Sequence, residues 1–251
     1  MTQIITDAEH EAFQKKQLAA LRKWLDGAGR DDARYYAVGR ALQLAVLIHT
    51  GTRKDGRTWE LTHQVEMCLH ATTLPNVRDL PRLLIVLLLH DMVEDYALLL
   101  EVIERLFDGV VRNSVDCLTK KIPVFGETRT IDITHLTPDF TPLVITIGVP
   151  GTELSHIERD EAAQFARMAV DLLASLAKAI DRFNNQRSMG GVFGQTKQLS
   201  YVQFTDDFIL PMLKLARGNF PDQRPAYENL KHVLVTQARL VRSWAAMLEA
   251  A

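Results

Sequence analysis

Four residues spread along the chain, His63, His90, Asp91 and Asp181, carry side chains able to hold a divalent cation. Two imidazoles and two carboxylates form a mixed nitrogen and oxygen donor set that leaves positions for water and substrate. Such a set suits manganese, iron or zinc, and a cation held there would acidify a water for attack at neutral pH. The densest part of the pattern is LLIVLLLHDMVED, residues 83–95, in which seven apolar residues run into His90-Asp91 and, one turn on, Glu94-Asp95. At helical spacing His90 sits above Glu94 and Asp91 above Asp95, since i and i+4 share a face. Unpaired charges resist leaving water, so ionisable groups ending a buried helix pair, bind metal or do chemistry. The alternative is an exposed helix end with solvated acids, and the rest of the chain decides between them.

Helices must position these groups. Thr6 and Glu9 form a capping box opening a helix to about Gly27. A second helix is expected over 33–49, followed by the Gly-containing basic loop HTGTRKDGRTW (49–59), read as flexible. A short helix over 61–74 carries His63 and Glu66 on one face. The apolar pattern then predicts a helix over 80–91, and two shorter ones over 96–107 and 110–118 split around Asp108-Gly109. Residues 122–156 are rich in Thr, Pro and Gly, and two alternating runs, 128–133 and 143–149, predict a hairpin. A connection this long inside a helical domain is uncommon without a task such as covering an active site; a surface elaboration or an oligomer contact is the alternative. One long helix is expected over 158–181, leading into AKAIDRFNNQR (177–187), and two closing helices over 198–217 and 226–248.

The bulk composition is that of an ordinary globular protein. The chain has 251 residues, 47% hydrophobic and 24% charged, with a net charge of -2. That balance signals neither nucleic-acid nor membrane affinity. The two cysteines, Cys68 and Cys117, lack CxxC spacing and read as buried thiols of a cytoplasmic protein. No apolar run approaches the roughly 20 residues of a membrane span, and the N-terminus lacks a signal core. Walker and GxGxxG phosphate loops are absent, as are Ser, Thr and Cys nucleophile motifs.

Three blocks together resemble the HD superfamily of metal-dependent phosphohydrolases, and within it the hydrolase domain of RelA/SpoT homologues, particularly the stand-alone small alarmone hydrolases. HTGTRKDG (49–56), followed by His63, is similar to that family's H-x-G-x-R-K-x-G and first metal histidine. LLLHDMVED (87–95) is similar to L-L-H-D-x-x-E-D, and KAIDRFNNQR (178–187) to K-L-A-D-R-L-H-N-x-R. Leu118-Thr119-Lys120 also looks like the family's L-T-K. The residue pattern reads as a mainly α single domain over 1–251 with a β-hairpin-like insertion around 122–156, and the resemblance makes it a helical bundle of HD type with a motif core over 49–187 and closing helices over 195–250. No further domain is expected after these helices.

The activity implied is hydrolysis of the 3′-pyrophosphate of (p)ppGpp to GDP or GTP and pyrophosphate, as in the stringent response, with manganese first among the metals. Carried across position by position, His63, His90, Asp91 and Asp181 would ligate the metal. Glu94 and Asp95 would orient and activate the attacking water. Arg53 and Lys54 would hold the nucleotide, with Asn185 contacting it one turn beyond Asp181. Lys178, Lys120, Lys121, Arg182 and Arg187 supply further positive charge for an anionic substrate. Four departures stand out: Gln64 for the family's proline, Tyr96 for its threonine, Asn184 for its histidine, and a segment over 122–156 that is longer and more β-like than the family's.

Two other classes of function compete. An HD phosphohydrolase acting on a dNTP, a nucleoside monophosphate or a cyclic nucleotide would share the metal site and attack a different phosphorus. A non-catalytic nucleotide-binding module would not need both Glu94 and Asp95. Of the other histidines, His10 and His232 read as surface residues and His70 as a helix cap. His135 and His156 would serve a second metal only if the insertion brought them inward. Oligomerisation stays open.

Overall fold

The computed structural model describes residues 6–190 and 192–249. Its first helix, α1 (Asp7–Asp31), starts at the reciprocal cap expected from the sequence, with Thr6 Oγ1 accepting from Glu9 N and the Glu9 carboxylate accepting from Thr6 N. It runs past Gly27 to Asp31, so the polar break shortens to the turn before α2 (Tyr35–Ile48). Next come α3 (Glu60–Ala71) and α4 (Leu80–Leu89). Asp79 caps α4 with Pro81 in its first turn, an arrangement favoured because proline lacks the N–H that a helix start leaves unused. All of Leu83 to Leu89 is buried, because α4 packs against α2, α3, α7 (Gly109–Leu118) and α9 (Leu172–Ser188) and has no side left for solvent.

Helix α4 stops at Leu89, before the expected Asp91. His90 and Asp91 make a turn, α5 (Met92–Tyr96) follows, and Ala97 closes it with a left-handed φ of 53°. Asp95 N still donates to Asp91 O at 2.8 Å, so the one-turn relation between those two acids survives the break. Tyr96 therefore belongs to α5, and the helix expected from residue 96 begins only at α6 (Leu100–Leu106).

The insertion is two nested antiparallel ladders. The expected hairpin is present as β2 (Thr128–Asp132) with β3 (Val144–Gly148), Thr130 facing Thr146. An outer pair, β1 (Lys121–Phe125) with β4 (Glu153–Glu158), encloses it, Ile122 facing Ile157. This outer pair left no alternating trace: every residue of β4 is exposed, and β1 contains Pro123, which only an edge strand tolerates. Ile133, Leu136, Ile145 and Ile147 join the main core, and β1 and β3 pack on α5. Arg129 donates to the carbonyls of Leu47 and Ile48, which end α2 without intrahelical partners.

The single helix expected over 158–181 is instead α8 (Glu161–Ala169) and α9, split because Asp171 accepts from Ala174 N and starts a new helix. Likewise the helix expected over 198–217 divides into α10 (Gln195–Phe204), a π-helical turn (Thr205–Ile209) and α11 (Leu210–Asn219). Pro211 lies just inside α11 and has no N–H for the regular ladder. The final helix, α12 (Arg224–Glu249), packs along α9. The fold is mainly α, with both cysteines free and buried. Among the described residues no helix is long and apolar enough to cross a membrane.

Candidate metal centre

Three of the four expected ligands converge. His63 from α3, His90 from the α4–α5 turn and Asp181 from α9 are buried and present ligand atoms within 4.8 Å of one another. His63 Nε2 lies 3.2 Å from Asp181 Oδ1, and the two imidazole centroids are 5.6 Å apart. Asp91 stands beside this trio, its Oδ2 2.8 Å from His90 Nε2. His90 and Asp91, neighbours in sequence, occupy the turn after Leu89 and meet the same space.

The donor set fits a cation. His90 Nδ1 is 3.0 Å from the Leu87 carbonyl, and His63 Nδ1 is 2.6 Å from Asn184 Oδ1, so both rings keep Nε2 for the centre. His90 Nε2 is buried and has no hydrogen-bond partner among the described residues, despite the nearby Asp91 oxygen. Burial alone would lower the His90 imidazole, but the charges of Asp91 and Asp181 more than offset it and push its pKa up to about 9. The cluster thus draws positive charge to the point where the ligand atoms meet.

The carboxylates divide by environment. Burial would raise Asp181, yet the Lys178 ammonium 3.0 Å away, together with the two histidines, holds it well below the ordinary range. Asp91 is lowered in the same way: burial opposes, and His90 prevails. Glu94 and Asp95 go the other way. Burial and then the charge of Asp91 raise both, and Asp95, with Glu94 also beside it, reaches about 7. Two acids kept ionised next to one poised near neutrality is a division of labour seen where protons move.

These groups line a cleft of about 830 Å³, within the range of small-molecule sites. Arg53, Lys54, Lys178 and Asn185 all line it. Arg53 donates to Asn185 Oδ1 at 2.9 Å, and Asn185 Nδ2 reaches Asp181 Oδ1 at 2.5 Å, tying the basic loop to the centre. The loop itself is held in place: Thr52 and Trp59 form a β-bridge, Arg53 N donates to Thr58 O, and Asp55 accepts from the Arg57 and Thr58 amides. Gln14 of α1 fixes its exit by accepting from Trp59 N and Thr62 Oγ1.

Other expected cations have partners within the protein, Arg187 while lining the cleft. Arg182 is buried between the rings of Tyr201 and Phe204, Arg187 pairs with Glu66 at 2.5 Å, and Lys121 pairs with Glu153. Lys120 lines the cleft, and its backbone N–H donates to Glu94. His156 is held between Glu153 and Glu158, and His135 is exposed, so neither joins the centre. His70 does not cap α3 and packs on Phe183 instead. His10 is only partly exposed, 3.1 Å from Thr58 at the cleft rim.

The insertion contributes Phe125, Pro150, Gly151 and Glu153 to the cleft wall, which places it over the site. Several supporting residues had no role in the motif pattern. Tyr96 donates its hydroxyl to Glu60, and its ring meets His49 edge-on at 5.2 Å. Asn184 joins His63 to Glu66. Helical spacing was the available signal, since Asn184 is three residues from Asp181 and Glu66 three from His63. In comparisons with known proteins the chain matches no family model and no curated protein.

Proposed function

We propose that this protein is a metal-dependent phosphohydrolase acting on an anionic nucleotide, and that its reaction is removal of the 3′-pyrophosphate of (p)ppGpp. The observation that carries the reading is the buried meeting point of His63, His90 and Asp181, with an orphaned imidazole nitrogen facing it and Asp95 poised near neutrality beside it. His63, His90, Asp91 and Asp181 would hold the cation, with manganese preferred and iron or zinc also suited to the donors. A divalent cation held there would supply Lewis acidity to the phosphate and lower the pKa of a water.

The remaining work falls to the chain itself. The carboxylate of Asp95, near pH 7, takes a proton from water and returns it without a large free-energy step. Glu94, fixed by the Lys120 amide, orients that water. Arg53 and Lys54 bind phosphate from a loop whose turn is already formed, so little ordering accompanies binding. Lys178 balances the Asp181 carboxylate and adds a positive charge on the same wall of the cleft.

A second reading has its own support. Phe125, Pro150 and Gly151 line the cleft from the insertion side, where they would contact the nucleotide, so the same hydrolytic chemistry also suits a different one. Purified protein with Mn²⁺ is to be tested on ppGpp beside dNTPs, nucleoside monophosphates and cyclic nucleotides. Pyrophosphate release from ppGpp is the expected result. Phosphate or triphosphate release from another member, with none from ppGpp, transfers the assignment to that nucleotide.

A further inference from the structure

We infer that Asn184 and Glu66 are positioning residues that fix the tautomer of His63 and so decide which of its nitrogens faces the metal centre. The inference rests on the metal-centre reading above and extends it to residues that touch neither cation nor substrate.

The hydrogen-bond chain to His63 starts at a charge that can only accept. Glu66 is half-buried and ionised, its carboxyl held below the usual range although burial opposes this, because Gln17, Asn184 and Arg187 all donate to it. An ionised carboxylate has no proton to give. The atom of Asn184 that meets Glu66 Oε2 at 2.9 Å is therefore its NH₂ group, whichever way the amide is first drawn. That leaves Asn184 Oδ1 facing His63 at 2.6 Å. An amide oxygen also only accepts, so His63 Nδ1 carries the proton and Nε2 holds the lone pair. Nε2 is the nitrogen that lies 3.2 Å from Asp181 Oδ1 at the centre.

Geometry keeps the chain in this state. Asn184 is one turn from Asp181 on α9, and Glu66 is one turn from His63 on α3, so the relay spans the two helices that supply those ligands. Gln17 reaches Glu66 from α1 and Arg187 reaches it from α9, so its two oxygens are anchored from both sides. A partner for the remote nitrogen of a ligating histidine orients the ring and raises its basicity, and losing one typically weakens metal binding by roughly 10- to 100-fold.

The test is Asn184→Leu, of similar size and without donor or acceptor, with Glu66→Gln as a milder second variant. Mn²⁺ affinity is read by competition with a chelating dye, and ¹⁵N NMR of the zinc-loaded protein reports which His63 nitrogen is ligated. The parent is expected to bind metal through Nε2 with Nδ1 protonated. Asn184→Leu is expected to lose roughly 10- to 100-fold in affinity, and Glu66→Gln to lose less while keeping Nε2 ligation. If Asn184→Leu does not fold, a weakened affinity in Glu66→Gln supports the relay and an unchanged one overturns it. Parent-like affinity in Asn184→Leu, or ligation of the parent through Nδ1, overturns the relay and leaves the metal centre standing. A parent that takes up no divalent ion overturns both.

Discussion

His90 Nε2 and Asp91 Oδ2 stand 2.8 Å apart, yet no hydrogen bond satisfies the imidazole nitrogen. Helix α4 stops at Leu89 and the next begins at Met92, and both His90 and Asp91, in the turn between them, keep right-handed helical backbone. With the imidazole protonated the two form an ion pair, and with it neutral their lone pairs face one buried space that a cation would fill.

Removal of Asp91 should therefore act on the metal, whereas removal of the Glu94 charge should act on the reaction. Asp91→Ala is expected to bring metal per chain, measured by elemental analysis, down to background. Glu94→Gln is expected to keep its metal and lose on the order of 10² to 10⁴ in turnover, the usual reach of proton-handling groups. Full turnover in Glu94→Gln would remove Glu94 from the water's environment.

Tyr96→Phe tests the anchor beneath the acidic helix. Its hydroxyl donates to Glu60, so the variant leaves a partly buried carboxylate one donor short. A loss of about 1–2 kcal/mol in urea unfolding is expected. A change within experimental error means that water replaces the hydroxyl there.

Asp171→Ala tests the break between α8 and α9. Asp171 accepts from Ala174 N at 2.9 Å and from Ser114 Oγ at 2.9 Å. Losing the cap should cost about 1–2 kcal/mol. Because α9 carries Lys178, Asp181, Asn184 and Asn185, the same variant should weaken metal uptake modestly. Parent-like stability would show that packing alone starts α9.

Asp116 gives the fold a pH dependence. Burial would raise its carboxyl, but hydrogen bonds from Arg159 and Arg167 more than offset this and hold it below the ordinary range. The unfolded chain thus takes up the proton more readily, so the contribution is complete above the unfolded value of about 4 and fades as pH falls through the lower folded one. Asp116→Asn should be about 1 kcal/mol less stable than the parent near neutrality. That gap should close on acidification in urea titrations at a series of pH values. A gap that stays constant assigns the effect to packing.

Legibility in the sequence followed how much each feature depends on one-dimensional spacing. The capping box at Thr6 and the buried run ending at Leu89 are local patterns, and the structure places both. His63, His90 and Asp181 were legible as residue types able to share a cation, and the fold brings their ligand atoms together. The break at Asp171 was hidden because apolar periodicity continues through it, while a single side-chain cap restarts the helix. The β1–β4 pair was hidden for the opposite reason, since β4 has no buried face and β1 exposes its apolar Ile122 and Val124 while Pro123 faces inward. Glu60, Glu66 and Asn184 were illegible as a group, because their roles depend on which helices lie side by side.

The glycine at 148 lies outside the cleft, yet it governs part of the entrance. A Cβ placed there would come within 1.9 Å of the Phe125 ring, which lines the cleft wall. The two ladders of the insertion are keyed together at this contact, so any side chain at 148 must drive the ring, and with it the wall, to a new position. A change in which molecules enter could therefore originate at a position that none of them touches. When variants of this protein differ in selectivity, the tolerance of position 148 is as informative as the residues that face the substrate.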